Sequence, residues 1–170
     1  LTRNLVRPSR QAWGLRARLA AVFDAPFYLA THPDVREIGM PPLAHYLDHG
    51  WKEFRDPSPW FSVRWYLESS EDVMKAGLEP LAHYLTHGGA AGRWPHPQFD
   101  HNYYQHQFST QAEALLRPDQ TPLEHFLLIG ARYGFRTSPP DSLSAAETGF
   151  PAGDPRRHVE SSLALEGWCP

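Results

Sequence analysis

Residues 42–50 read PLAHYLDHG, residues 80–88 read PLAHYLTHG, and residues 122–130 read PLEHFLLIG. Each stretch has the local chemistry of a short helix. Proline at the first helical position gives up only an N–H that would be unpaired anyway, and its ring presets the helical φ. Leu43, Tyr46 and Leu47 then stand at i, i+3 and i+4 and share one face. The closing glycine, Gly50 in the first copy, is expected to enter the left-handed region and stop the helix.

The surrounding sequence repeats with these stretches. Phe23, Phe61 and Phe99 are spaced by 38 residues, and so are the aromatic pairs Phe27-Tyr28, Trp65-Tyr66 and Tyr103-Tyr104. Asp24, Ser62 and Asp100 follow the lead phenylalanine and are residue types that cap helix starts. A second short helix is expected at Pro33-Asp34-Val35 and again at Glu71-Asp72-Val73, with acids in the first turn and Gly39 or Gly77 at the end. The third copy departs here: it has four extra residues and no Asp-Val pair, and a longer helix is expected over residues 110–116. After each PL-HYL stretch comes a turn in which Arg55 matches Arg93, Pro57 matches Pro95 and Pro59 matches Pro97. The third copy keeps Gly134 and Pro139, but its arginine slips by one, to Arg136.

Helices this short cannot stand alone in water. Each unit must therefore pack its aromatic face on its neighbours. No stretch alternates apolar and polar residues with β-branched enrichment, so strands are not expected. The expected fold is all-α: three tandem repeats of short helices over residues 23–140, divided 23–60, 61–98 and 99–140. A basic capping helix precedes them within residues 1–22, and residues 141–170 form a linker or disordered tail.

The leading helix is expected over residues 9–22, with Ser9 as cap and Trp13, Leu19, Ala20 and Phe23 on one side. It is expected to cover the open end of the first repeat, as repeat arrays require. Residues 1–22 hold five arginines and no acid and so carry +5, which leaves −8 on the rest of a chain whose net charge is −3. A basic helix of this kind could also lie on an anionic surface. The body has no basic stripe, which argues against nucleic acid.

In 170 residues there are 17 prolines and 12 glycines, yet 41% hydrophobic and 13% aromatic content is too apolar for disorder throughout. No apolar run is long enough to cross a bilayer, and no signal-peptide core follows the basic start. The chain opens on Leu1 and not on methionine, so it is expected to be cut from something longer. The single cysteine, Cys169, excludes an internal disulfide and a cysteine-based zinc site, and fits a reducing compartment.

The pattern FD..(aromatic)YL...PDV...G..PL.HYL.HG....R.P.P resembles short tandem repeats that accompany glycosyltransferase domains in bacterial surface-polysaccharide proteins, including those similar to rhamnan-synthesis glycosyltransferases. The resemblance covers residues 23–140, and Phe54 stands where the family usually has glycine. It implies a companion module whose catalytic domain lies elsewhere in a longer parent. It also implies a cytoplasmic location at the inner face of the bacterial membrane. No acidic pair after a strand and no nucleotide-binding βαβ unit is present in this chain.

Candidate chemistry is sparse. His45 with His49, and His83 with His87, stand at i and i+4, the spacing that lets two imidazoles share a zinc ion. A carboxylate after the first histidine is missing, and the third copy has Ile129 in place of the second histidine. Capping and packing therefore explain these residues better than metal does, and no metal or other cofactor is expected. Trp51, Trp60 and Trp94 sit in turns and are the candidates for partner or carbohydrate contact. Arg55 and Arg93 are candidates for anionic groups, with pairing to Asp34 or Asp72, or to carbonyls of the turn, the simpler expectation. No serine or cysteine nucleophile has a histidine and acid at motif spacing. The expected function is a non-catalytic module that positions an adjacent domain or another protein. A carbohydrate- or anionic-surface-binding module is the alternative, and a histidine-pair metal protein comes behind it.

Overall fold

The structure, a computed structural model, describes residues 10–111 and 120–139. The expectations for Ser9, for a helix beyond Gln111 and for residues 141–170 lie outside these residues. The all-α expectation holds: among the described residues no strand forms, and only an isolated bridge joins Ser58 to Phe61. Helix α1 is Arg10–Val22. In the first segment, α2 (Ala25–Thr31), α3 (Pro33–Glu37) and α4 (Pro42–Asp48) lead to a 3₁₀ turn at Gly50–Glu53. In the second, α5 (Val63–Glu68) and α6 (Glu71–Ala76) are followed by α7 (Pro80–His83), which continues as a π-turn at Tyr84–Gly88. In the third, α8 (His101–Gln111) and α9 (Pro122–Leu128) lead to a 3₁₀ turn at Gly130–Tyr133.

The caps act where the sequence places them. Asp24 accepts the Phe27 N–H at 2.9 Å and Asp100 the Tyr103 N–H at 2.9 Å, while Ser62 accepts the Trp65 N–H at a longer 3.5 Å. The backbone N–H of each cap reaches the far end of its own segment. Asp24 donates to the Pro57 carbonyl at 2.9 Å, Ser62 to Pro95 at 3.0 Å, and Asp100 to Thr137 at 2.7 Å. One bond thus closes each segment head to tail, at matching positions.

Each closed segment surrounds three aromatic rings: Phe23, Tyr28 and Tyr46; Phe61, Tyr66 and Tyr84; Phe99, Tyr104 and Phe126. Their centroids lie 5.1–6.1 Å apart in tilted and edge-on arrangements, the geometry that aromatic quadrupoles favour. Of each adjacent aromatic pair one faces fully inward. Tyr28, Tyr66 and Tyr104 are buried, whereas Phe27, Trp65 and Tyr103 are half-buried.

Segments join through α4, α7 and α9. The Tyr46 hydroxyl donates to Glu79 Oε1 at 2.6 Å, and the Glu79 carboxylate caps α7 by accepting the Leu81 and Ala82 N–H groups. The equivalent Tyr84 hydroxyl is buried at the start of α9, beside Thr121 and Leu123. Phe126, the third in this series, carries no hydroxyl and packs edge-on against Trp60 at 5.0 Å.

Helix α1 departs from expectation in place and in face. It bridges the second and third segments, lying on α7, the π-turn and α9. Its inner face is Leu15, Arg18, Leu19 and Val22, while Ala20 is exposed. Arg18 Nε and Nη2 donate to the two Glu124 carboxylate oxygens, each at 2.7 Å, and Nη2 also donates to the Leu85 carbonyl at 2.7 Å. The π-turn frees that carbonyl: the Gly89 N–H, which an α-helix would direct to Leu85, donates to Tyr84 at 2.8 Å. Charge and burial together put this helix here. Glu124 is 4% exposed, and a carboxylate so buried demands a cation.

Candidate functional site

The first histidine of each helix is a structural partner of the inward tyrosine. Tyr28 Oη lies 3.0 Å from His45 Nδ1, Tyr66 Oη 2.8 Å from His83 Nδ1, and Tyr104 Oη 2.7 Å from His125 Nδ1. Burial pushes the Tyr28 hydroxyl up to about 12, and those of Tyr66 and Tyr104 higher still. Each phenol therefore keeps its proton, and one hydrogen bond joins it to Nδ1, with the donor set by the imidazole tautomer. Burial also holds His83 and His125 below the ordinary histidine range, which keeps them neutral.

The glycine that follows completes each pair, and its role corrects an expectation. Gly50, Gly88 and Gly130 do not turn left-handed. Positive φ falls four residues later, at Phe54 (56°), Gly92 (74°) and Gly134 (75°). A Cβ built on Gly50, Gly88 or Gly130 would instead overlap the hydroxyl of Tyr28, Tyr66 or Tyr104. These glycines are needed for close approach.

The second histidines, His49 and His87, are exposed. Each ring lies 5.7 Å from its upstream partner, and His87 Nδ1 pairs with the Thr86 hydroxyl at 2.8 Å. His45 and His83 have their Nδ1 engaged by tyrosine, so only Nε2 remains to either. Among the described residues no group of three or more His, Cys, Asp or Glu gathers where a metal could be held.

The turn residues divide. Arg55 Nη1 holds Asp34 at 3.0 and 2.8 Å while its Nε pairs with Glu53 at 2.6 Å. Arg93 forks onto Asp72 at 2.8 and 2.7 Å, and holds that carboxyl down to about 2. Trp51 donates its indole N–H to the Leu47 carbonyl at 3.1 Å. Trp94 is half-buried in its turn. Trp60 is half-buried too, edge-on to Phe126 and, at 6.3 Å, to His96. Burial pulls the His96 imidazole down to about 4.

Trp60 lines an open cleft of about 370 Å³ with Phe126, Phe135 and the stretch 136–139. Sequence reading missed Phe135, although its register was available. Its N–H bonds the Gly130 carbonyl at 3.0 Å, as Arg55 bonds Gly50 and Arg93 bonds Gly88, both at 2.9 Å. Phe135 thus occupies the arginine's place, with its ring 5.5 Å from His125 and 5.9 Å from Tyr104. Arg18 and Glu124 were also missed as a pair; only a capping-box spacing at Thr121 and Glu124 signals the acid.

Compared with protein-family models, with curated proteins and with solved structures, the chain matches none.

Proposed function

We propose that this chain is a non-catalytic helical repeat module that positions or anchors a partner domain. The setting would be a bacterial surface-polysaccharide glycosyltransferase at the inner face of the membrane. The observation that carries this reading is the internal engagement of the residues that could otherwise do chemistry. The first histidines bond tyrosines, Arg55 and Arg93 bond acids, and Glu79 and Glu124 cap helices while bonding Tyr46 and Arg18. No nucleophile, base and orienting group converge among the described residues. Residues 23–60, 61–98 and 99–140 are in this reading three copies of one repeat, whose matched closing bonds and Tyr–His pairs give a rigid platform. Among the described residues no helix is long and apolar enough to cross a membrane, so anchoring would run through the partner.

The test is an assay of the purified chain for hydrolysis of sugar nucleotides and for sugar transfer to acceptors. The expected result is no turnover above buffer. Turnover lost on substitution of any described residue would overturn the reading. Direct carbohydrate or surface binding draws less support, because Trp51, Arg55 and Arg93 all have internal partners.

A further inference from the structure

The third segment departs from the other two at several positions, and four of the departures meet in one place. Tyr46 and Tyr84 are followed in the series by Phe126; Arg55 and Arg93 by Phe135; Pro57 and Pro95 by Thr137. The arginine itself has moved to Arg136. All four of these residues line the cleft that Trp60 closes from the first segment. Elsewhere in the third segment the Tyr–His pair, the cap and the closing bond are unchanged. Four departures gathered in the lining of one cleft, on a frame whose Tyr–His pair, cap and closing bond are kept, are what a binding site grafted onto one copy would leave.

The cleft has a definite chemistry. Its floor is aromatic, and the Trp60 ring meets Phe126 at 78° and His96 at 70°. That is a corner, which accepts an inserted side chain better than it accepts a sugar ring laid flat. Its rim carries a cation. Arg55 and Arg93 each hold an acid, whereas among the described residues no carboxylate pairs with the exposed Arg136. The Arg136 backbone is fixed by the Gln107 amide, which donates to its carbonyl at 2.7 Å and accepts its N–H at 3.3 Å. The guanidinium is thus presented from a braced stem. At about 370 Å³ the space is at the small end of ligand pockets.

We infer that this cleft docks an acidic polypeptide segment of a partner protein, which inserts one bulky apolar side chain between Trp60, Phe126 and Phe135 and sets a neighbouring carboxylate on Arg136. This deepens the proposed function and rests on it, since it names the chemistry by which the module would hold its partner.

The experiment is an NMR titration of the full chain, ¹⁵N-labelled, with the peptide acetyl-Asp-Leu-Glu-amide. The expected result is saturable shifts of the Trp60 indole N–H and of the amides of residues 134–138, weakened at least fivefold by Arg136→Gln and weakened also by added salt. Phe135→Arg, which restores the second segment's arrangement, should abolish the shifts. If that variant does not fold, Trp60→Ala replaces it with the same expectation. The inference is overturned if the neutral peptide acetyl-Asn-Leu-Gln-amide binds equally well, or if Arg136→Gln changes nothing. It is also overturned if a glucuronate oligosaccharide moves these resonances more strongly. Contacts from Trp60 to residues beyond 139, or shifts that depend on protein concentration alone, would give the cleft to the chain itself or to a second copy. A silent cleft leaves the non-catalytic reading standing, whereas sugar transfer by the chain would sink that reading without moving these resonances.

Discussion

The second and third segments hold the same Tyr–His–Gly arrangement in different surroundings. Around Tyr66 and His83 stands an ion pair, Arg93 with Asp72, whose acid is exposed. Around Tyr104 and His125 stands an aromatic wall, Phe135, and His125 is 0% exposed. The inner hydrogen bond is therefore indifferent to whether a charge or a ring covers it. What differs is the outward face: one turn is closed by its own salt bridge, while the other is apolar beside Arg136, with which no carboxylate among the described residues pairs. The segments thus separate a frame that must be kept from a rim that can change.

The comparison can be broken most severely at the shared rings. Tyr84→Ala removes a ring that both segments touch, and should cost about 3–5 kcal/mol in urea denaturation, as large aromatic truncations do. A loss of a few tenths would mean that this ring is not core. Gly88→Ala and Gly130→Ala should each cost roughly 2–3 kcal/mol, because the added methyl drives into a fixed tyrosine hydroxyl. The two values should agree. If only the turn mattered, both would be nearly neutral, since neither glycine has positive φ.

Removing the phenol oxygen sharpens the contrast. Tyr104→Phe leaves His125 Nδ1 buried beside Phe135 without its hydroxyl partner, at a cost of about 2 kcal/mol. Tyr66→Phe should cost about half as much, because His83 is half-buried and water can reach it. Equal losses in thermal unfolding would show that the covering group makes no difference to the cost.

Acid should act in the same direction on both segments. His32, His83, His96, His101 and His125 are all held below the ordinary histidine value by burial. Their unfolded forms take up protons near pH 6.5 and their folded forms only below it. Stability is therefore full above about pH 6.5 and falls with pH toward about 4, where His96 titrates. His96, still neutral at pH 5, costs about 2 kcal/mol there. A melting temperature flat from pH 7 to 5 would contradict the buried, neutral assignment.

The smallest effect lies in the first segment, where Phe54 holds the left-handed conformation that Gly92 and Gly134 hold in the others. Phe54→Gly relieves roughly 1–2 kcal/mol of backbone strain. It also gives up the Arg64 guanidinium over the ring at 4.7 Å and frees the unfolded chain. The net should be a slight stabilisation, about 0.5 kcal/mol or less, read as a small rise in melting temperature. A clear destabilisation would mean that the exposed ring is doing more than covering Arg64.

The sequence by itself determined the all-α class, the cap residues and the fact that one member at most of each adjacent aromatic pair can face fully in. These are local matters: a side-chain oxygen meets an N–H three residues on, and adjacent residues on a short helix cannot both face in. It also offered Asp34 to Arg55 and Asp72 to Arg93, beside the turn carbonyls, and the structure forms both ion pairs. Only the tertiary structure decided the rest. That Gly50 makes room for Tyr28 depends on a ring 22 residues away, which no helix-stop rule contains. That α1 lies across the second and third segments depends on Glu124, 106 residues from Arg18, whose burial required a cation. That Phe126, Phe135 and Arg136 line one cleft depends on Trp60 arriving from another segment. Period and propensity act along the chain, whereas these choices are made by what is brought beside it through space.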